Sequence, residues 1–358
     1  MNTSDIRREE YFEGALRTLL APESPGGLQP LLDDDRMDPD TLCEVLRKNL
    51  VLVRALGACD LSSSRSAEEL AGRLNREQAR IATGVEAIQR LGRRLSEADI
   101  RYAIIKTLDQ YPDMGHDIDF LILDRAEEIV GIVANEFDGE VKDRSLSERM
   151  AQKTNYRIPG HPTLEQHHQR LGQVGEEKSL VDELMKRITT VDLEGAPISV
   201  PSMEFRILLA VLQRILRHFN IRLCDVVNMH EIVNSGQVDW DYLFSFARQQ
   251  GLYRALTFYL QFVETIHRHY VGSELLPAQI SRRVTKVTGP YTPLIERDYF
   301  RFSNWQVGPS VYAAKYVGYL RHLEFGPAMR LTLVPAFALF TFSNIKFFPR
   351  WPIWKRIW

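Results

Sequence analysis

The run Asp117-Ile118-Asp119-Phe120-Leu121-Ile122-Leu123 constrains this chain more than any other stretch. Most of its members are strong β-formers, and a strand turns successive side chains to opposite faces. Asp117 and Asp119 therefore share one face, while Ile118, Phe120 and Ile122 share the other. The run predicts a sheet with an apolar underside and a pair of carboxylates held close together on top. Like charges at that spacing repel and raise one another's pKa unless a cation neutralises them, which makes a divalent metal the natural third party. Magnesium is the default, because it is a hard cation that takes carboxylate oxygens in an octahedral shell. The plainer alternative is a pair of solvated acids at a strand edge beside a turn, and Asp-x-Asp is too short a motif to decide between the two.

The flanking sequence predicts the setting. Tyr102-Ala103-Ile104-Ile105 reads as a short buried strand, and a polar turn containing Pro112 and Gly115 follows it. Residues 126–137 have helical spacing and a third strand is expected over 154–158, so the order is that of a small mixed sheet with helical cover. Helices are expected over 9–20, 40–58 and 66–98, with Asn49 a polar exception in the apolar stripe of the second. Beyond Pro201 the chain becomes helical again, with Phe205, Leu208, Leu209, Leu212 and Leu216 on one face behind Ser202 as N-cap. Further helices are expected over 240–262 and 311–323. The fold class is α+β: an N-terminal helical region (1–99), an α/β core (100–198), a C-terminal helical region (199–324) and an aromatic, basic tail (325–358).

Bulk composition excludes several function classes. The chain is 44% hydrophobic and 26% charged, an ordinary globular balance, and is long enough for two cores or one elaborated one. Its 45 basic and 47 acidic residues give a formal charge of −2, so no net field marks it as a nucleic-acid binder. Three scattered cysteines, Cys43, Cys59 and Cys224, suit neither a zinc site nor a disulfide framework and read as small buried hydrophobes. The first residues lack the basic start and apolar run of a secretory signal, and the apolar stretch 331–342 is too short for a membrane span of about 20 residues. The expected location is the cytoplasm.

Taken together, the stretch from Ile104-Ile105-Lys106-Thr107 to Gly115-His116-Asp117-Ile118-Asp119-Phe120-Leu121-Ile122 resembles the core of the uncharacterised nucleotidyltransferase family, within the polymerase-beta-like superfamily. The resemblance lies in a strand ending in lysine, a variable turn, a Gly-x-Asp-x-Asp strand and a later acidic-x-His segment, here Glu165-Gln166-His167. Val200-Pro201-Ser202 opening a helix and the stretch Arg222–Val227 look like the family's C-terminal helices, so the likeness spans about 100–251. It implies that Asp117, Asp119 and Glu165 bind two magnesium ions and catalyse transfer of a nucleoside monophosphate from a nucleoside triphosphate, such as ATP, to a hydroxyl acceptor. Lys106 and Thr107 would then contact the nucleotide. Where the family has Lys-Gly this chain has Lys106-Thr107, and threonine restricts the close backbone approach that glycine allows. A small molecule or a protein side chain is the expected acceptor ahead of nucleic acid. The alternative is an inactive scaffold or nucleotide sensor.

Three other features invite different chemistry. Adjacent residues on a strand face opposite ways, so His167 and His168 are not expected as joint metal ligands, and both, with His161, read as surface or core histidines. His116-Asp117 resembles the doublet of metal-dependent phosphohydrolases, but those doublets lie on helices and this one enters a β run. The tail from 325 to 358 has no acidic residue and interleaves Arg350, Lys355 and Arg356 with Trp351, Trp354 and Trp358. Such a tail suits a membrane surface or a protein partner, or folds back to bury its own aromatics.

Overall fold

A computed structural model describes residues 3–22, 26–288, 294–296, 299–301 and 304–334. The chain opens with α1 (Thr3–Leu20), the single turn α2 (Gln29–Leu32), α3 (Pro39–Lys48), α4 (Leu52–Gly57) and the long α5 (Ala67–Glu97). Next come β1 (Tyr102–Ile104), β2 (Asp117–Ile122), α6 (Ala126–Phe137), β3 (Glu140–Val141), α7 (Leu146–Met150), β4 (Lys153–Arg157) and β5 (Thr163–His168). Then α8 (Ser179–Lys186) leads into the hairpin β6 (Ile188–Leu193) and β7 (Ala196–Pro201). The remainder is α9 (Met203–Val211), β8 (Asn220–Ile221), α10 (Leu223–Asn234), α11 (Trp240–Gln249), α12 (Tyr253–Val271), α13 (Ala278–Thr288), β9 (Leu294–Glu296), β10 (Tyr299–Arg301) and α14 (Asn304–Arg321).

The class is α+β. Five strands form a mixed sheet in the order β1-β2-β5-β4-β3. Only the β2–β5 pair is parallel, because the chain from 123 to 162 crosses over before β5 returns beside β2. Ile118, Phe120 and Ile122 are fully buried beneath β2, as alternation requires. The long α5 lies against β1 and β7. It starts on Glu68 and Glu69, carries Arg94 in its last turn, and so opposes its own dipole with charge at both ends. Its stripe of Ile81, Val85, Ile88, Leu91 and Leu95 is buried. Gly92 lets the sheet approach, since a Cβ there would lie 2.6 Å from the Tyr102 hydroxyl.

One apolar core runs from Tyr11 in α1 through the sheet to Val311 in α14, and α12 is central to it, packing against α1, α10 and α13. The helix expected over 40–58 is two helices, broken where Leu50 takes φ +53°. Asn49 accounts for the polar gap in the stripe: it is buried, and its side-chain oxygen accepts the N–H of Leu223 at the start of α10 (3.0 Å). The helix expected over 240–262 likewise breaks at Gly251, where φ is +67° and a Cβ would meet Lys315 Cα at 2.9 Å. Ser202 occupies the N-cap of α9, yet its hydroxyl donates to Glu204 (2.6 Å) instead of capping a backbone N–H.

Cys43 and Cys224 are buried, and all three cysteines are free. Burial pushes the thiols of Cys59 and Cys224 up to about 11 and about 12. A helical stretch over 325–334 follows α14, and the rest of the tail, with most of the apolar run 331–342, lies outside the described residues. Among the described residues no helix is long and apolar enough to cross a membrane.

Candidate functional site

The site begins in the turn between β1 and β2. The Thr107 N–H donates to the Ile105 carbonyl at 2.6 Å, closing a three-residue γ-turn with Lys106 at its centre, φ +61° and ψ −45°. A non-glycine residue in that conformation is strained and persists only where its surroundings enforce it. Thr107 supplies the enforcement: its buried hydroxyl accepts the Asp119 N–H (2.9 Å), tying the turn to β2. Lys106 is thereby aimed across the strand, with Nζ 2.7 Å from Asp119 Oδ1.

Parallel register supplies the other half. Asp117 pairs with Thr163, Asp119 with Glu165, and Leu121 with His167, so both acids of β2 share a face with Glu165 and His167 of β5. His167 Nε2 lies 2.9 Å from Asp119 Oδ1 and 3.0 Å from Glu165 Oε1, and Lys153 of β4 closes on the same glutamate. One ligand atom each from Asp119, Glu165 and His167 falls within 4.8 Å of the others, a donor set of hard oxygens and imidazole that fits a divalent cation. His168 faces away, toward the Leu123 carbonyl.

The carboxylates titrate in opposite directions. Burial pushes Glu165 up, but the hydrogen bond and charge of His167, with Lys106 and Lys153, hold it well below its ordinary value. Asp117 is open to solvent on one side, yet partial desolvation, followed by the charges of Glu165 and Asp119, pushes its carboxyl up. Asp117 is thus the acid whose charge is least compensated, while two ammonium groups already balance the other two.

Beside these acids opens a cavity of about 400 Å³, the size of a small-ligand site. Asp117, Asp119, Lys106 and Thr107 form one side, and Arg47, Lys48, Arg214 and Arg222 bring cationic side chains to the rest. Arg214 sits on a π-helical segment, Leu212–His218, and pairs with Asp225 at 2.7 Å. Its Nη1, and Nε of Arg222, are buried donors with no hydrogen-bond partner among the described residues. Unpaired buried donors beside a cavity are groups that an anionic ligand would satisfy.

The description of the family whose model matches residues 37–267 is "uncharacterised nucleotidyltransferase". The chain belongs to that family. No curated protein matches it. Among solved structures, it is similar to an antigenic nucleotidyltransferase-like protein from Paracoccidioides brasiliensis, with 13% identity, 57% of this chain and 98% of that one covered, and a TM-score of 0.36. It is also similar to a tRNA-processing enzyme in its apo form I, with 13% identity, coverage of 74% and 78%, and a TM-score of 0.26.

For this member of the nucleotidyltransferase family, the metal-competent trio differs from the expected three carboxylates. Asp119 and Glu165 are in it; Asp117 stands at the cavity edge, and His167, expected only as a surface or core histidine, takes the third place. Its spacing of two from Glu165 was the available signal, since two residues apart on a strand means one face. Thr107 lines the cavity, but its hydroxyl is committed to the β2 backbone. Arg47, Arg222 and Tyr299 had no sequence signal, because they come from three distant segments.

Proposed function

We propose that this chain is a magnesium-dependent nucleotidyltransferase that moves a nucleoside monophosphate from a nucleoside triphosphate to a hydroxyl acceptor. One observation carries the reading: parallel pairing sets Asp119 against Glu165 on the face that opens, past Asp117, into a cation-lined cavity. Arg47, Lys48, Arg214 and Arg222 bind the triphosphate, and Lys106 offsets charge that develops as the phosphoryl group transfers. Asp117, Asp119 and Glu165 hold the divalent ions, with His167 as a further ligand beside Asp119 and Glu165. When bound, such ions supply charge neutralisation at the phosphates and activation of the attacking hydroxyl. The cytoplasm is the setting in which triphosphate and magnesium are both available.

A second reading, a sensor that binds nucleotide without turnover, is favoured by the lysine already seated on Asp119 and by threonine where the family has glycine. Turnover separates the two. Incubated with each of the four triphosphates, magnesium and a mixture of hydroxyl acceptors, the full chain should release pyrophosphate, and Asp119→Asn or Glu165→Gln should cut release at least 100-fold, a loss on the order of 3 kcal/mol. No release, with nucleotide binding intact, selects the sensor.

A further inference from the structure

Lys106 and Gln213 each line three separate cavities, so the site lysine stands at a junction. One of these is the cationic cavity. Another has Lys106 and His167 on its wall and is mostly apolar: Leu171, Leu209, Leu212, Leu216, Tyr312 and Val334 form most of the lining of about 60 Å³, and Gln173, Glu176 and Arg217 complete it. The Tyr312 hydroxyl is already bonded to the Leu216 carbonyl (2.6 Å), leaving the ring as wall. A water needs roughly 10–15 Å³ on this measure, so the space admits a group of about four to six heavy atoms. Both Glu176 carboxylate oxygens already accept the N–H groups of Gln173 and Val174 (3.2 and 3.0 Å), so that side chain disfavours a phosphate, while a sugar ring would set several hydroxyls against the leucines and an aliphatic or aryl group would not. The Gln213 amide, also on the lining, has no hydrogen-bond partner among the described residues and offers both a donor and an acceptor to a hydroxyl.

We infer that this apolar cavity is the acceptor subsite, and that the acceptor is a small alcohol or phenol with an apolar body. The inference rests on the nucleotidyltransferase reading above. In the reaction, the acceptor oxygen forms a bond to the α-phosphorus. The bond from that phosphorus to the bridging oxygen breaks, pyrophosphate leaves with its electron pair, and the hydroxyl proton passes to solvent. Tyr312 and Val334 lie beyond the family match at 37–267, so the far wall that selects the acceptor belongs to this chain's own C-terminal helices.

The test uses the full chain with selectively labelled leucine methyls and four probes: 1-butanol, phenol, glycerol and glucose. Butanol and phenol should shift the methyls of Leu209, Leu212 and Leu216 at least tenfold more tightly than glycerol or glucose. In the presence of magnesium and a nucleoside triphosphate, the same two should raise pyrophosphate release at least tenfold. Val334→Phe and Leu212→Phe, which fill the cavity from two different segments, should each weaken probe binding tenfold or more, and either variant that folds suffices. Triphosphate binding that persists while butanol and phenol leave the methyls unmoved, or bind without raising release, overturns the inference. Loss of triphosphate binding in the wild type is a separate result: it removes the parent reading, and the inference with it.

Discussion

Lys106 meets two demands that conflict, a positive φ that favours glycine and an ammonium group that glycine lacks. Strain of this kind amounts to about 1–3 kcal/mol and is kept where the side chain is needed. Comparing two replacements isolates it, because Lys106→Ala and Lys106→Gly both lose the amine and only glycine relaxes the backbone. Lys106→Gly should be more stable than Lys106→Ala by about 1 kcal/mol or more in urea unfolding, and both should bind triphosphate at least tenfold more weakly than wild type. Equal stability of the two would mean that the turn is not strained. The hydroxyl of Thr107, by contrast, holds β2 in place by accepting the Asp119 N–H.

Between elements, the pairing of β2 with β5 makes the site, and it shows what a sequence can convey. The alternation in 117–122 fixes which side chains share a face, because strand period is local. Which strand lies alongside is settled by pairing across more than forty residues, and no local pattern encodes that. For that reason Asp117 and Asp119 were legible as a pair, whereas spacing set His167 on the face of Glu165 and only the register set both beside Asp119. The β6–β7 hairpin carries a local signal too: two β-rich runs flank Glu194-Gly195, both at positive φ, a two-residue turn of hairpin type. The helix pair α10 and α12 offers a pH test of its own. His230 Nδ1 lies 3.0 Å from His267 Nε2, and burial, then that neighbour, push His230 below its ordinary value of 6.5. Because the folded base is harder to protonate, the unfolded state binds more protons as pH drops below 6.5, so the contribution is complete above that pH and is lost on acidification. Urea midpoints should therefore fall from pH 7 to pH 5, and His230→Asn should flatten that fall; an unchanged slope would exclude His230 as the cause.

At the scale of the whole molecule, the C-terminal helices are latched to the sheet region by charge. Lys315 of α14 and Glu177 are both 1% exposed, 2.6 Å apart, and Arg330 donates to the carbonyls of Met150 and Val174. Removing one partner of a buried pair strands the other, so Lys315→Met should lower unfolding stability by about 3–5 kcal/mol, and Lys315→Met/Glu177→Leu should recover most of it. A double variant as unstable as the single would mean that packing, not charge, sets the latch. The same helices, through Tyr312 and Val334, also line the mostly apolar cavity beside Lys106. The central claim is that the cationic cavity holds a metal-bound nucleoside triphosphate beside Asp117 and Asp119. Calorimetry tests it most directly, with each of the four triphosphates, with and without magnesium, on wild type and on Asp117→Asn/Asp119→Asn. Magnesium-dependent binding that disappears in the double variant is the predicted result; no binding of any triphosphate to the wild type, or binding that survives the double variant unchanged, would contradict it.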